Sequence, residues 1–142
     1  DKEAVSRAFS LTKANRLKDK KFAILSGGEK QKIVIARAVA QTTPWMLLDE
    51  PIASLDIKNQ IEIMQTLSEL NRQEGVSVLM VLHDINLAGI YCDRLIMLKD
   101  GQVIAAGNTN ECLCEENLKK LYDISFFHMD TKKGQRYYYA EI

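Results

Sequence analysis

The sequence is poor in the features that mark secreted and membrane-spanning chains. Only three of its 142 residues are cysteine and two are proline. An odd and small number of cysteines is not a disulfide framework, so a reducing cytoplasm is expected. The first residues, Asp1, Lys2 and Glu3, are charged and show no signal-peptide pattern. The longest apolar runs, such as residues 78–82, are far shorter than the roughly 18–20 residues of a membrane span.

An excess of positive charge is also missing, which disfavours a nucleic-acid partner. Lysine plus arginine and aspartate plus glutamate each number 19, so the formal net charge is zero. Binding to a phosphate backbone without sequence preference needs a basic surplus. The hydrophobic share of 46% is enough for a globular core in a chain of 142 residues.

The alternation of helical and strand patterns predicts an α/β fold with parallel strands at its centre. A helical pattern starts at Ser26 and stops at Pro44. The unbroken apolar residues 45–48 predict a buried strand, residues 57–74 a long helix, and residues 76–82 a second buried strand.

The remainder of the chain predicts short helices and hairpins. Asp100-Gly101 is the strongest hairpin turn signal. We expect a short helix at residues 86–91, strands at 94–99 and 102–106, helical structure at 108–122, and a last hairpin with strands 126–129 and 137–142 around Lys133-Gly134.

Two carboxylates and one histidine follow the two predicted central strands. Asp49 and Glu50 come after the first strand, and His83 comes after the second. Ligands of open α/β sheets bind beyond the carboxyl ends of the strands. There, Asp49 could support Mg²⁺ while Glu50 acts as a general base on water. Taken alone, the pattern also fits a strand that ends in a solvated acidic turn.

A serine and two glycines stand at the start of the helical pattern that ends at Pro44. Ser26, Gly27 and Gly28 would present backbone N–H groups at a helix N-terminus, where an anion such as phosphate is favoured. The alternative is an ordinary helix cap, because Ser26 with Glu29 three residues later is also a capping box.

The order and spacing of these motifs resemble the ATP-binding-cassette (ABC) ATPases over essentially the whole chain. In that family's terms the matching segments are the signature motif, the Walker B strand, the D-loop, the switch histidine and the hairpin after it. These are Leu25-Ser26-Gly27-Gly28-Glu29, Leu47-Leu48-Asp49-Glu50-Pro51, Ser54-Leu55-Asp56, His83, and Leu98-Lys99-Asp100-Gly101-Gln102-Val103. The resemblance implies a P-loop NTPase-like α/β fold, with ATP and Mg²⁺ as cofactors.

The resemblance also implies a role for each matched residue. Glu50 and His83 would be catalytic, with Glu50 polarising water and His83 bridging water and the γ-phosphate, while Asp49 would hold Mg²⁺ through water. Nucleotide-binding roles would fall to Leu25, Ser26, Gly27, Gly28, Glu29 and Asp56. In the family two cassettes meet head to tail around two ATP molecules, and they energise transmembrane permease subunits at the cytoplasmic face of the membrane.

The departures from the family pattern are informative. Glu29 stands where many members have glutamine, and Ile52 stands where threonine is usual. No G-x-x-x-x-G-K-[ST] phosphate loop occurs in these 142 residues, and the family's glutamine loop has no counterpart. We therefore expect the C-terminal part of a cassette that is inactive alone. Residues 1–43 would complete the helical subdomain with the signature motif, and residues 44–142 would hold the catalytic-core strands, D-loop, switch histidine and C-terminal elements.

The stretch after the second strand suggests a subgroup. His83-Asp84-Ile85-Asn86-Leu87-Ala88 resembles the importers of iron–siderophore, haem and cobalamin type. The predicted function is an ATP-hydrolysing importer subunit. Two alternatives stay open: a non-transport cassette of DNA repair or translation, and a non-catalytic fragment that acts only through protein interfaces.

Overall fold

The computed structural model describes residues 2–132 and 134–141. The chain divides into two compact units, of which the first ends at Leu82 and the second begins at His83. Lys133 and Ile142, predicted for the turn and the end of the last hairpin, lie outside the described residues. The predicted boundary after residue 43 concerns the subdomains of a larger cassette and stays a prediction.

The first unit combines helices with a two-stranded parallel sheet. Its most deeply buried large side chains belong to two helices that pack on each other, and the core members are Ile35, Ile63, Met64, Leu67 and Leu70. In chain order the elements are α1 (Lys2–Leu11), α2 (Gly27–Val39), β1 (Trp45–Leu48), α3 (Ile57–Glu74) and β2 (Ser77–Met80). The helix predicted over residues 57–74 and the two parallel strands are confirmed, and Gly75 ends α3 with a left-handed φ of 68°. The helix predicted from Ser26 is also present, but it ends at Val39, before Pro44.

The expectation that β1 and β2 are buried strands is wrong for one face of the sheet. Met46 is only 4% exposed, whereas Trp45 is 60% and Leu47 72% exposed. Leu47 pairs with Leu79 across the parallel ladder, and Leu79 is also exposed. Successive strand residues point to opposite faces. Within the first unit, therefore, packing covers the Met46 face and leaves the Leu47 face open.

The second unit contains two antiparallel hairpins and short helices. Its elements are α4 (Ile85–Tyr91), β3 (Arg94–Lys99), β4 (Gln102–Asn108), α5 (Thr109–Cys112), α6 (Glu115–Tyr122), β5 (Phe126–Asp130) and β6 (Arg136–Ala140). The predicted turn is confirmed, because Lys99 pairs with Gln102 and both Asp100 and Gly101 have positive φ. The core of this unit consists of Met97, Cys112, Leu113, Leu118 and Tyr138.

Among residues 2–132 and 134–141, no helix has both the length and the apolar character needed to cross a bilayer.

Candidate functional site

The two candidate carboxylates lie at the carboxyl end of β1. Val81 N–H donates to Leu48 C=O at 3.1 Å, so the parallel ladder continues to the residue directly before Asp49. Asp49 and Glu50 are both exposed, and the next two residues, Pro51 and Ile52, are buried. The buried Pro51 and Ile52 fix the chain immediately after the Asp49–Glu50 pair, and both carboxylates are accessible to solvent and ligand.

Glu50 has an unusual backbone conformation. Its φ is 45°, in the left-handed region that non-glycine residues rarely occupy. A turn holds it there, because Ala53 N–H donates to Glu50 C=O at 3.1 Å. The left-handed conformation costs about 1–2 kcal/mol for an L-residue, and such costs collect at functional sites. Asp100 has a similar φ of 50° in the β3–β4 turn, so what sets Glu50 apart is this conformation together with its place directly after a strand of the parallel sheet.

The loop before α2 is a reciprocal helix cap. Ser26 Oγ accepts a hydrogen bond from Glu29 N–H at 3.3 Å, and Glu29 Oε2 accepts one from Ser26 N–H at 3.0 Å. The capping-box interpretation is confirmed. The capping box does not compete with anion binding. The amides of Gly27 and Gly28 precede Glu29 in the first turn of α2, where N–H groups have no acceptor within the helix and can donate to an anion. Leu25 is buried beside Ala14 and Leu17 and anchors the loop.

The charge of Glu29 is stabilised where it stands. The Ser26 backbone N–H and Lys20 lower the pKa of the Glu29 carboxyl. Lys20 Nζ lies 3.2 Å from Glu29 Oε1. Both carboxylate oxygens therefore have protein partners, which gives Glu29 a structural role at this helix end.

A residue that sequence reasoning missed connects this loop to Asp56. Asn59 Nδ2 donates to Asp56 Oδ2 at 2.6 Å, and Asn59 N–H donates to Asp56 Oδ1 at 2.9 Å as the cap of α3. These two bonds lower the pKa of the Asp56 carboxyl. Gly28 packs directly against the Asn59 side chain. The only sequence signal was the position of Asn59 three residues after a capping aspartate.

His83 begins the second unit, three residues beyond β2. Its side chain is exposed. The next residue, Asp84, caps α4 by accepting from Asn86 N–H and Leu87 N–H, both at 2.8 Å.

Of the predicted site residues, the structure brings Gly27 and Gly28 close to the loop before α3. The place of His83 next to Asp49 and Glu50 stays a prediction.

The donor set fits a water-rich Mg²⁺ site and not a protein-enclosed metal site. Within the described ranges, 2–132 and 134–141, no group of three or more histidine, cysteine, aspartate or glutamate side chains could hold a metal ion. Mg²⁺ usually keeps several waters and takes one or two carboxylates. The exposed carboxylate of Asp49 meets that requirement.

Comparisons with known proteins identify the family of this chain. A family model described as ABC transporter matches residues 1–53, a stretch that contains Ser26, Asp49 and Glu50. The ferric enterobactin transport ATP-binding protein FepC of Escherichia coli (strain K12) is 41% identical over 130 residues, which are 92% of this chain and 48% of FepC. The chain belongs to the ABC transporter ATPases.

Solved structures place this ABC chain in the cassette fold. An ABC transporter assigned to the metal-chelate type, in an inward-facing conformation, superposes with a TM-score of 0.92 at 26% identity over 99% of this chain and 57% of its own. The dimeric cassette MJ0796, bound to ADP and Pi, has a TM-score of 0.64 at 37% identity, over 75% of this chain and 46% of its own. The predicted fold class is confirmed, and the chain spans about half the length of these relatives.

Proposed function

We propose that this chain is part of a longer ATP-hydrolysing subunit of an ABC importer. The observation that carries the proposal is the exposed Asp49–Glu50 pair at the carboxyl end of β1, with Glu50 held at a φ of 45°. A strained, accessible carboxylate directly after a central strand is suited to work on a bound substrate. Membership of the ABC ATPases supports ATP as that substrate.

In this proposal each residue of the site has one task. Glu50 accepts the proton of the attacking water, because its carboxylate is exposed directly after β1 and offers oxygen acceptors to a bound water. Asp49 would hold Mg²⁺, and the ion would supply positive charge to the phosphate oxygens. His83 orients water against the γ-phosphate. Ser26, Gly27 and Gly28 offer the amide end of α2 to a phosphate group.

The partners follow from the same assignment. A second cassette would face this one head to tail, so that residues 26–28 of one subunit approach the nucleotide held by the other. The dimeric form of MJ0796 supports a second cassette as the partner. Asp56 would lie at the interface, and permease subunits would receive the motion of closure and opening at the cytoplasmic face of the membrane.

The proposed cargo is a metal chelate of the iron–siderophore, haem or cobalamin type. Two findings support it: the FepC relative acts in ferric enterobactin transport, and the transporter with the TM-score of 0.92 is assigned to the metal-chelate type. The cargo itself would bind to the permease and its binding protein, so this chain contributes energy and not recognition.

The proposal is tested on the complete cassette, recovered from the reading frame that contains this chain. The purified protein should hydrolyse ATP in the presence of Mg²⁺, and hydrolysis should stop when EDTA is added. The rate of hydrolysis should rise when the permease is present in vesicles with a ferric siderophore and its binding protein. Absence of Mg²⁺-dependent hydrolysis would overturn the enzymatic assignment. Stimulation by DNA or ribosomes in place of the permease would overturn the transport assignment.

A further inference from the structure

The side chain of Asn86 pairs with the main chain of β6. Asn86 Nδ2 donates to Tyr138 C=O at 3.0 Å, and Tyr138 N–H donates to Asn86 Oδ1 at 2.7 Å. One amide group therefore satisfies both main-chain groups of a single strand residue, as a neighbouring strand would. Tyr138 also pairs with His128 of β5 in the hairpin register, so Asn86 closes the other side of β6.

Tyr138 is itself fixed in the core of the second unit. It is 5% exposed and packs with Met97 and Leu118. Its hydroxyl donates to Leu113 C=O at the end of α5. The main-chain groups that Asn86 contacts thus belong to a strand whose position is set by buried packing and by a second hydrogen bond.

Asn86 lies in the first turn of α4, three residues after His83. Asp84 Oδ1 accepts from both Asn86 N–H and Leu87 N–H, which fixes this turn from its N-terminal side. The Asn86 side chain fixes the same turn against β6. The backbone that leads from α4 back to His83 is therefore held at two points within three residues.

We propose that Asn86 is a positioning residue for His83. The amide pair ties the start of α4 to β6, and this sets the backbone from which the His83 imidazole extends. The inference rests on the proposed function, since it assumes that His83 acts in ATP hydrolysis. Misplacement of a reacting group by about 1 Å can lower a rate on the order of 10²-fold, so loss of the pair should act on kcat.

The test compares two asparagine variants of the complete cassette. Asn86→Ala removes the amide pair with Tyr138. Asn117→Ala is the matched control, because Asn117 Nδ2 donates to Cys112 C=O at 2.8 Å, also part-buried, but on α6. We expect Asn86→Ala to lower kcat about ten-fold or more with the KM for ATP within about two-fold, and Asn117→Ala to leave kcat unchanged at a comparable loss of thermal stability. Equal kcat in the two variants would overturn the inference.

A double variant separates positioning of His83 from general loosening. If Asn86 acts through His83, then Asn86→Ala combined with His83→Ala should have the same kcat as His83→Ala alone, within about two-fold. Additive losses would overturn the inference. Asn86→Asp keeps an acceptor for Tyr138 N–H and replaces the alanine variant in both comparisons if that variant does not fold. Full activity of the single variants His83→Ala and Glu50→Gln would instead overturn the proposed function.

Discussion

A Cβ atom added at Gly28 would lie 2.2 Å from Oδ1 of Asn59 and 2.5 Å from its Cγ. The absence of a side chain at Gly28 is therefore a packing requirement. Asn59 cannot swing away freely, because its amide donates to Asp56 Oδ2 at 2.6 Å. The contact joins the start of α2 to the start of α3, the two segments for which nucleotide contacts are proposed.

Gly28→Ala is expected to destabilise the complete cassette by about 1–3 kcal/mol, the usual cost of overpacking. Gly27→Ala is the control, because its Cβ would meet only Leu55 Cδ2 at 3.3 Å, a movable side-chain atom. Urea unfolding measures both. Combining Gly28→Ala with Asn59→Ala should cost less than the sum of the single variants. Equal costs for the two glycine variants would contradict the packing argument.

Glu50→Gln is expected to stop turnover while ATP binding persists. The amide is nearly isosteric with the carboxylate and cannot accept the proton of water, so kcat should fall on the order of 10²–10⁴-fold. Steady-state ATPase assays and a nucleotide-binding titration of the complete cassette measure the two effects. A variant that retains more than about half of the wild-type kcat would remove Glu50 from the role of general base.

His83→Ala is expected to lower the ATPase rate nearly as strongly, with little change in thermal stability. The side chain is exposed and follows β2 by three residues, so its loss removes little packing. His128→Ala is a matched control, because His128 is also exposed and contacts Glu115 on α6. Melting temperature and rate are measured together. An unchanged rate with a lower melting temperature would make His83 a turn residue only.

The 142-residue chain alone is expected to show neither ATP hydrolysis nor submillimolar ATP affinity. Most phosphate binding in P-loop enzymes comes from the phosphate loop and its lysine, a motif missing from this sequence. The helix end at residues 26–28 contributes about 0.3–1 kcal/mol when exposed, whereas an affinity of about 1 mM requires about 4 kcal/mol. Calorimetric titration with Mg-ATP measures the affinity.

The same chain is expected to self-associate, because Trp45, Leu47 and Leu79 expose one apolar face of the sheet. Size-exclusion chromatography measures this beside the titration. Micromolar ATP binding by a clean monomer would contradict both expectations and the account of the site.

Cys92 is expected to react slowly with iodoacetamide in the folded protein. Burial, with a smaller effect of Asp93, raises the pKa of its thiol from 9.0 to about 11. Because the thiolate is the nucleophile, its population at about pH 8 should be about 100-fold lower than in the unfolded chain. Mass spectrometry of alkylated peptides, with and without urea, measures the ratio. Equal rates in the two states would contradict the assigned environment.

Periodicity and capping chemistry are local, and the sequence predicted what depends on them. The apolar spacing of α3, its glycine end at Gly75, the Asp100-Gly101 turn and the Ser26–Glu29 box are all present. Each depends on residues within a few positions of one another, so spacing and residue type are sufficient. The order of motifs around Asp49 and Glu50 likewise led to the correct family.

Other features depend on contacts between residues far apart in the chain, and no local sequence pattern predicts them. Gly28 meets Asn59 across 31 positions of sequence, Asn86 pairs with Tyr138 at a separation of 52 residues, and the open face of β1 reflects which side of the sheet the helices cover. This geometry forms only when separate helices and strands pack against one another at the density of a protein interior. Side chains that are distant in the sequence then become direct neighbours and must fit together.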